Sequence, residues 1–105
     1  MRLLLDTAQV TFMVTKAPEP RRDYGKTEQK VDRDGRPQWV VDVLAQDSER
    51  GEVIRVTVTG DQPRVTTGQS VRFEGLEAIP WSNNGKSGVA YRAASIQPTA
   101  PVKAA

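Results

Sequence analysis

Short stretches of the chain alternate between apolar and polar residues, which is the pattern of a half-buried β-strand. In the clearest of them Ile54, Val56 and Val58 share one face, while Arg55 and Thr57 lie on the other. The branched residues of this stretch also suit a pleated surface. We therefore predict a sheet with one face toward a core and the other toward solvent.

Five strands are predicted, separated by residues that favour turns. They cover 7–15, 38–46, 52–59, 70–79 and 89–97. Gly51 predicts a hairpin between the second and third strands, and the pair Asn84-Gly85 favours a tight hairpin before the fifth. Gly75 inside the fourth strand predicts a bulge or sharp bend of the kind that closes a small sheet.

The segment 16–36, between the first two strands, is long and basic. It contains seven Lys and Arg residues against five Asp and Glu, with Tyr24 near its centre. Such a stretch cannot bury enough apolar surface to order itself in isolation, and loops of this length are usually functional or disordered. Two interpretations stay open: a floppy surface loop, or a basic arm whose Tyr24 folds down onto a ligand.

These elements predict an all-β fold, namely a five-stranded Greek-key barrel of the oligonucleotide/oligosaccharide-binding (OB) type with a long basic loop between strands 1 and 2 and little or no helix. The barrel domain spans 1–98, with 16–36 as its flexible basic loop, and 99–105 is a disordered tail. OB barrels bind ligands on strands 2 and 3 and between loops 1-2 and 4-5. Here those loops are 16–36 and 81–88.

Composition excludes several kinds of chemistry. The chain has 105 residues, typical of one domain, and no cysteine or histidine, so thiolate and imidazole zinc sites, Ser-His-Asp triads and Cys-His pairs are impossible. The acidic residues are scattered singly, and we predict a protein that is not an enzyme and uses no metal or cofactor. The net charge is only +2, so any anion-binding role depends on where the charges lie.

The predicted location is the cytoplasm, without a membrane partner. No apolar run approaches the ~20 residues of a membrane span, and residues 1–6 are too short for a signal-peptide core. The absence of cysteine agrees with a reducing compartment.

Short motifs resemble the single-stranded DNA-binding proteins of phages and plasmids, and in particular the filamentous-phage helix-destabilising family. They are Arg33-x-Gly35-Arg36-Pro37 at the start of strand 2, Gln62-Pro63 followed by Gly68-Gln69-Ser70-Val71, and the late Gly-bearing hairpin, within residues 10–98. The resemblance implies backbone contacts by Arg33 and Arg36 and a homodimer or higher homo-oligomer. That family stacks bases on tyrosines of its hairpin region, whereas here Gln38 and Trp39 follow Pro37, so the aromatic positions are not preserved.

Single-strand binders without sequence preference need exposed rings on which bases stack, and cations that meet phosphates. Alternation assigns Phe12 and Phe73 to the core, which leaves as candidate rings Tyr24, Trp39, Trp81 and Tyr91. Trp81 lies at the mouth of the Asn-Gly hairpin, where burial is hard to arrange. Trp39 shares the parity of the core valines in its strand, which favours a core or barrel-rim position, and Tyr91 fits either the barrel wall or a pairing with the arginine beside it.

Ten cations complete the predicted nucleic-acid site: Arg21, Arg22, Lys26, Lys30, Arg33, Arg36, Arg55, Arg72, Lys86 and Arg92. Arg55 and Arg72 project from strand faces opposite the core, where they can line a groove or pair across strands with Asp42 or Glu74. Both interpretations stay open, and the pairing is worth little energetically. Each cation of the 16–36 arm is individually a solvated charge, but together they favour an electrostatic funnel.

We expect a largely sequence-independent single-stranded DNA-binding protein that acts in replication, transfer or recombination of a phage, plasmid or integrative element. RNA stays open as a ligand, because OB barrels bind both. The alternative is a small β-barrel subunit that docks onto a protein partner through its sheet edges or arm, without affinity for nucleic acid. The near balance of charge in the arm favours that alternative, whereas a carbohydrate-binding barrel would not need seven cations in one loop.

Overall fold

The computed structural model describes residues 3–22 and 28–99, and the chain is all-β there, as predicted. The strands are β1 (Leu3–Leu4), β2 (Thr11–Pro20), β3 (Gln38–Gln46), β4 (Gly51–Thr59), β5 (Ser70–Glu74), β6 (Glu77–Asn83), β7 (Lys86–Ala93) and β8 (Ser95–Pro98). No helix occurs in the described ranges. The prediction of five strands is wrong, because residues 3–22 and 28–99 alone form eight.

The strands form a single sheet, curled into a half-barrel, in the order β1-β6-β7-β4-β3-β2-β5-β8. Its neighbours pair antiparallel except for β4 and β7, which run parallel. β5 and β6 follow one another in the chain but lie near opposite ends of this order. The sheet therefore curls until its two ends approach one another at Gly75, as the predicted bend there required.

The additional strands arise mainly because two predicted strands are each divided. The stretch 70–79 breaks at Gly75, whose φ of +63° is left-handed and incompatible with an extended strand. The stretch 89–97 breaks at Ala94, whose N–H donates to the carbonyl of Glu74 at 2.9 Å. The remaining additional strand is β1, which pairs with β6. No strand was predicted for residues 3–4.

The first predicted strand is shifted along the chain. It begins at Thr11 because Thr7 and Val10 form a turn, with the Val10 N–H donating to the Thr7 carbonyl at 3.1 Å. It then continues to Pro20, and its pairing with β3 shifts register on both sides of Lys16. Such irregularities bend a strand and increase its twist, so the end of β2 curves over the outward face of the sheet.

The core lies on the concave face, as the alternation predicted. Val14, Val41, Val43 and Val56 are almost completely buried. Phe12 and Phe73 meet edge to face with ring centroids 5.0 Å apart, a favoured geometry for aromatic pairs. The outward face of β3 and β4 consequently carries polar side chains such as Asp42, Arg55 and Thr57, together with the apolar Val40, Leu44 and Val53.

The Asn84-Gly85 pair forms the tight turn expected of it. Both residues have positive φ, at 52° and 76°, which is the conformation of a type I′ hairpin turn. Pairing extends to Asn83↔Lys86 at the turn itself. Trp81 is therefore a strand residue on an extended β6–β7 hairpin, and the prediction of a loop over 81–88 is wrong.

Within the segment 16–36, Lys16 to Pro20 belong to β2. Beyond the strand, isolated bridges join Arg22 to Gln29 and Val31 to Pro37. Tyr24, Lys26 and the tail from 100 to 105 lie outside the described residues. None of the described residues belongs to a helix long and apolar enough to cross a membrane.

Candidate nucleic-acid interface

A cleft of about 510 Å³ lies between the end of β2, the outward face of β3 and β4, and the β6–β7 hairpin. We call it the hairpin cleft; it is lined by Glu19, Pro20, Arg21, Arg22, Val40, Arg55, Thr57, Trp81, Val89, Ala90 and Tyr91. Five predicted site residues therefore meet in one concavity: Arg21, Arg22, Arg55, Trp81 and Tyr91. They are spread over 71 residues of sequence, from 21 to 91.

Trp81 supplies an exposed ring at this cleft. The residue is 47% exposed, and it faces Gly88, its partner on β7. Because Gly88 has no Cβ, the indole can lie directly over the backbone of the neighbouring strand. One side of the ring is thus supported by protein, while the exposed remainder is available for stacking.

Tyr91 forms part of the wall between the cleft and the core. It is partly buried and packs against the core cluster, and it pairs with Val56 across the parallel β4–β7 contact. Of the two interpretations left open by the sequence, the barrel wall is the one observed. Tyr91 is nevertheless one of the residues that line the hairpin cleft.

Arg21 is anchored where β2 ends. Its backbone N–H donates to the Gln38 carbonyl at 3.0 Å, and its Nη1 lies 3.4 Å from Gln38 Oε1 and 3.5 Å from Thr57 Oγ1. These side-chain distances are at the long limit for hydrogen bonds. The guanidinium is therefore held over the outward face of the sheet by weak bonds that it can exchange for stronger ones.

Arg55 is paired rather than unpaired. Its Nε donates to Asp42 Oδ1 at 2.9 Å and its Nη2 to Oδ2 at 3.4 Å, across directly opposed positions of β3 and β4. This hydrogen bonding, followed by the charge of Asp42, raises the pKa of Arg55 further above its usual range. The cross-strand pairing foreseen for Arg55 is therefore present, and it leaves the side chain 64% exposed at the cleft.

A second cleft, of about 320 Å³, lies beside the hairpin cleft, and we call it the rim cleft. It is lined by Asp32, Arg36, Gln38, Thr59, Gly75, Glu77, Arg92, Ala93 and Ala94. Arg36 and Arg92 from the predicted site meet here. Each has an acidic partner: Arg36 Nε lies 3.0 Å from Asp32 Oδ2, and Arg92 Nε lies 3.7 Å from Glu77 Oε2.

Asp32 organises the turn that brings Arg36 to the rim cleft. Its Oδ1 accepts the backbone N–H groups of Asp34 and Arg36, both at 2.9 Å. The backbone bond from Arg36 is the main reason that the pKa of Asp32 lies below its ordinary value, assisted by the bond from Asp34 and the charge of Arg36. Gly35 completes the turn with a φ of +80°, which glycine adopts without strain.

The remaining predicted residues that the structure describes do not line either cleft. Trp39 is half-buried at the rim of the barrel, where its Nε1 donates to the Gly60 carbonyl at 2.9 Å.

Arg72 donates to Gln97 Oε1 at 2.8 Å instead of pairing with Glu74, and it lines a separate cavity that includes Phe12. Lys30, Arg33 and Lys86 line neither cleft.

Sequence reasoning assigned no role in the site to the three acidic residues that line these clefts, namely Glu19, Asp32 and Glu77. Glu19 was counted only as a charge of the basic segment, yet it lines the hairpin cleft and lies 3.3 Å from Lys16. Glu77 was assigned no role because the bend at Gly75 left its face undefined. Thr57 could have been found, since it shares the outward parity of Arg55.

No protein-family model, curated protein or solved structure matches the chain. Among the described residues, no group of three or more acidic side chains is placed to hold a metal ion. The chemistry that these two clefts offer is stacking, charge and hydrogen bonding.

Proposed function

We propose that this chain is a non-enzymatic, largely sequence-independent single-stranded DNA-binding protein of a phage, plasmid or integrative element, acting in its replication, transfer or recombination. The observation that carries the proposal is the hairpin cleft. It joins an exposed tryptophan to three arginines, Arg21, Arg22 and Arg55, against a single lining carboxylate, Glu19.

These groups match what an unpaired strand offers to a protein. Bases free of a partner can stack on Trp81, each such contact being worth about 1–3 kcal/mol. Phosphates can contact the arginines and then release their counterions. For single strands the logarithm of the affinity consequently falls by about 0.7 per contact for each tenfold rise in salt concentration. A duplex does not expose its base faces, so the cleft favours a single strand.

The strand arrangement supports an OB-type Greek-key barrel as the scaffold. β2, β3 and β4 form a meander, and β4 pairs in parallel with β7. If the two-residue β1 is set aside, β5 is counted with β6 as one bent strand and β7 with β8 as another, which gives five strand positions. The hairpin cleft then lies against the second and third of them, between the segment after β2 and the β6–β7 hairpin, where OB barrels bind ligands.

The proposal includes three further expectations that rest on the sequence. They are a homodimer or higher homo-oligomer, a cytoplasmic location, and RNA as an alternative ligand to DNA. Oligomers would place several hairpin clefts along one strand. Multivalent binding of that kind raises the apparent affinity without any new contact.

One observation favours the alternative of a protein-interaction subunit. Met13, Leu44 and Val53 form an apolar row on the outward faces of β2, β3 and β4, with Met13 40% and Val53 60% exposed. A protein partner docking there would bind with little dependence on salt. In this alternative the protein has no affinity for oligonucleotides, at the hairpin cleft or elsewhere.

Anisotropy titration of labelled oligo-dT, oligo-U and a duplex of equal length tests the proposal. We expect saturable binding of oligo-dT at low salt, weaker binding of the duplex, and loss of affinity as salt rises. Absence of binding to every oligonucleotide at low salt would reject the proposal and leave the interaction subunit. Tighter binding of oligo-U than of oligo-dT would indicate that the ligand is RNA and not DNA.

A further inference from the structure

The hairpin cleft and the rim cleft lie on one face of the β3–β4 hairpin. Val40 and Thr57, which are directly opposed, line the first cleft, and Gln38 and Thr59, the next opposed pair on that face, line the second. Two residues along a strand span about 7 Å, roughly one nucleotide of an extended chain. A strand that leaves the hairpin cleft in this direction enters the rim cleft.

Arg21 marks the boundary between the two clefts. Its guanidinium reaches Gln38 on the rim side and Thr57 on the hairpin side, with donor–acceptor distances of 3.4 and 3.5 Å. A phosphate at this boundary would accept stronger, charge-assisted bonds from the same group. Arg21 is thereby placed to hold the phosphate that joins two successive nucleosides.

The rim cleft itself differs in charge from the hairpin cleft. Its two arginines are matched by two carboxylates, Asp32 and Glu77, so it gives little net attraction for a phosphate. Its small lining residues, Gly75, Ala93 and Ala94, leave room for a flat group. These features suit a nucleobase better than a backbone anion.

Glu77 has unused capacity to accept hydrogen bonds. No described residue donates to its carboxylate: Oε2 is buried without a hydrogen bond, whereas Oε1 is not buried, and the side chain as a whole is 28% exposed. Oε1 is therefore the oxygen that a ligand can reach. Arg92 Nε is 3.7 Å away, which is close enough for attraction but too long for a hydrogen bond. Asp32, by contrast, already accepts three bonds from its own turn.

We propose that the rim cleft is a nucleoside subsite in which Glu77 accepts a hydrogen bond from the exocyclic amino group of a base, so that amino-bearing bases are preferred to thymine. This proposal rests on the proposed function and adds a base preference at one position of an otherwise unselective path. Carboxylates accept bonds from the amino group of cytosine. Thymine has no amino group, and its ring N–H lies between two carbonyl oxygens that a carboxylate repels.

The test compares oligo-dC with oligo-dT of equal length at neutral pH and low salt, for wild-type protein and Glu77→Gln. We expect wild type to bind oligo-dC about 5-fold or more tightly than oligo-dT. In Glu77→Gln the ratio should fall toward 1, because the neutral amide accepts more weakly and can also donate to thymine O4. Glu74→Gln, an exposed carboxylate on β5 outside both clefts, is the matched control and should keep the wild-type ratio.

Each outcome separates this proposal from the function on which it rests. Wild-type protein that binds neither oligonucleotide rejects the function itself. Equal affinity for oligo-dC and oligo-dT, or a preference that survives Glu77→Gln, overturns the base-reading role while single-strand binding stands. Because equal affinities in the wild-type protein would by themselves overturn the proposal, it stays falsifiable even if the variant failed to fold.

Discussion

Trp81 lies so close over Gly88 that a Cβ added to the glycine would fall 2.7 Å from Cζ2 of the indole. Real Cβ atoms do not approach other atoms to that extent, so the ring occupies space that every other residue at position 88 would need. Aromatic residues opposite glycines are a known means of completing a sheet surface. Gly88 therefore determines where the principal stacking ring of the hairpin cleft lies.

Replacing Gly88 by alanine should displace the indole without removing it. We expect a shift in the emission of Trp81 and weaker binding of oligo-dT, by a fraction of the ~1–3 kcal/mol that a stacked base contributes. The measurement is made in a Trp39→Phe background, because the chain contains only two tryptophans. Ser87→Ala, on the same hairpin, is the control and should change neither quantity. Unchanged emission in Gly88→Ala would contradict the claim that Gly88 determines where the ring lies, and changed emission with unchanged affinity would show that the ring position is unimportant for binding.

Removing the ring should have a larger effect. Trp81→Ala is expected to lose about 1–3 kcal/mol of binding free energy, with little loss of stability because the side chain is about half exposed. Trp39→Phe should keep the affinity, since Trp39 lies at the barrel rim and its indole N–H is engaged by Gly60. Titrations of both variants check this. Equal losses in the two would indicate that the cleft is not where bases stack.

Asp42 restrains Arg55 and should weaken its contact with phosphate. Asp42→Asn removes the charge and retains the shape, so oligo-dT affinity and its salt dependence are both expected to increase. Folding stability should fall by no more than about 1 kcal/mol, because exposed ion pairs contribute little. Glu49→Gln, in the β3–β4 turn, is the charge-matched control. An affinity gain of equal size in that control would show that the gain comes from the change in net charge and not from the release of Arg55.

Acid should open the turn that carries Arg36. The pKa of Asp32 is lower in the folded protein than its ordinary value, so its stabilising contribution is present above the unfolded pKa, near 4, and is lost as the pH falls through the lower folded value. Protection of the Arg36 amide from hydrogen exchange should decline in that range. Asp32→Asn should remove the decline. In Asp47→Asn, which alters a different turn with its own lowered pKa, the Arg36 amide should behave as in wild type; a decline abolished there too would contradict the assignment.

The sequence predicted the regular part of the fold well, because alternation directly reports which side chains point inward. The β3 and β4 ranges, the core placement of Phe12 and Phe73, and the turn at Asn84 all followed from local pattern. The number of strands did not follow from local pattern, because a single left-handed residue such as Gly75 ends a strand without interrupting its apolar pattern.

The candidate site was predicted only in part. Arg21, Arg55 and Trp81 converge because β7 pairs in parallel with β4, a long-range contact that no local pattern encodes. Whether Arg72 would pair with Glu74 or Gln97 also depended on β8, which the sequence reading had merged with its neighbour. Glu77 was missed for a different reason, because its face is set by the bend at Gly75 before it.

Quenching of Trp81 by oligo-dT in the Trp39→Phe variant, followed across a salt series, tests the central claim most directly. The hairpin cleft predicts strong quenching at low salt, and an affinity whose logarithm falls with the logarithm of salt by about 2, as three arginine–phosphate contacts require. Quenching that is absent at low salt, or insensitive to added salt, would contradict the claim that this cleft holds an unpaired strand.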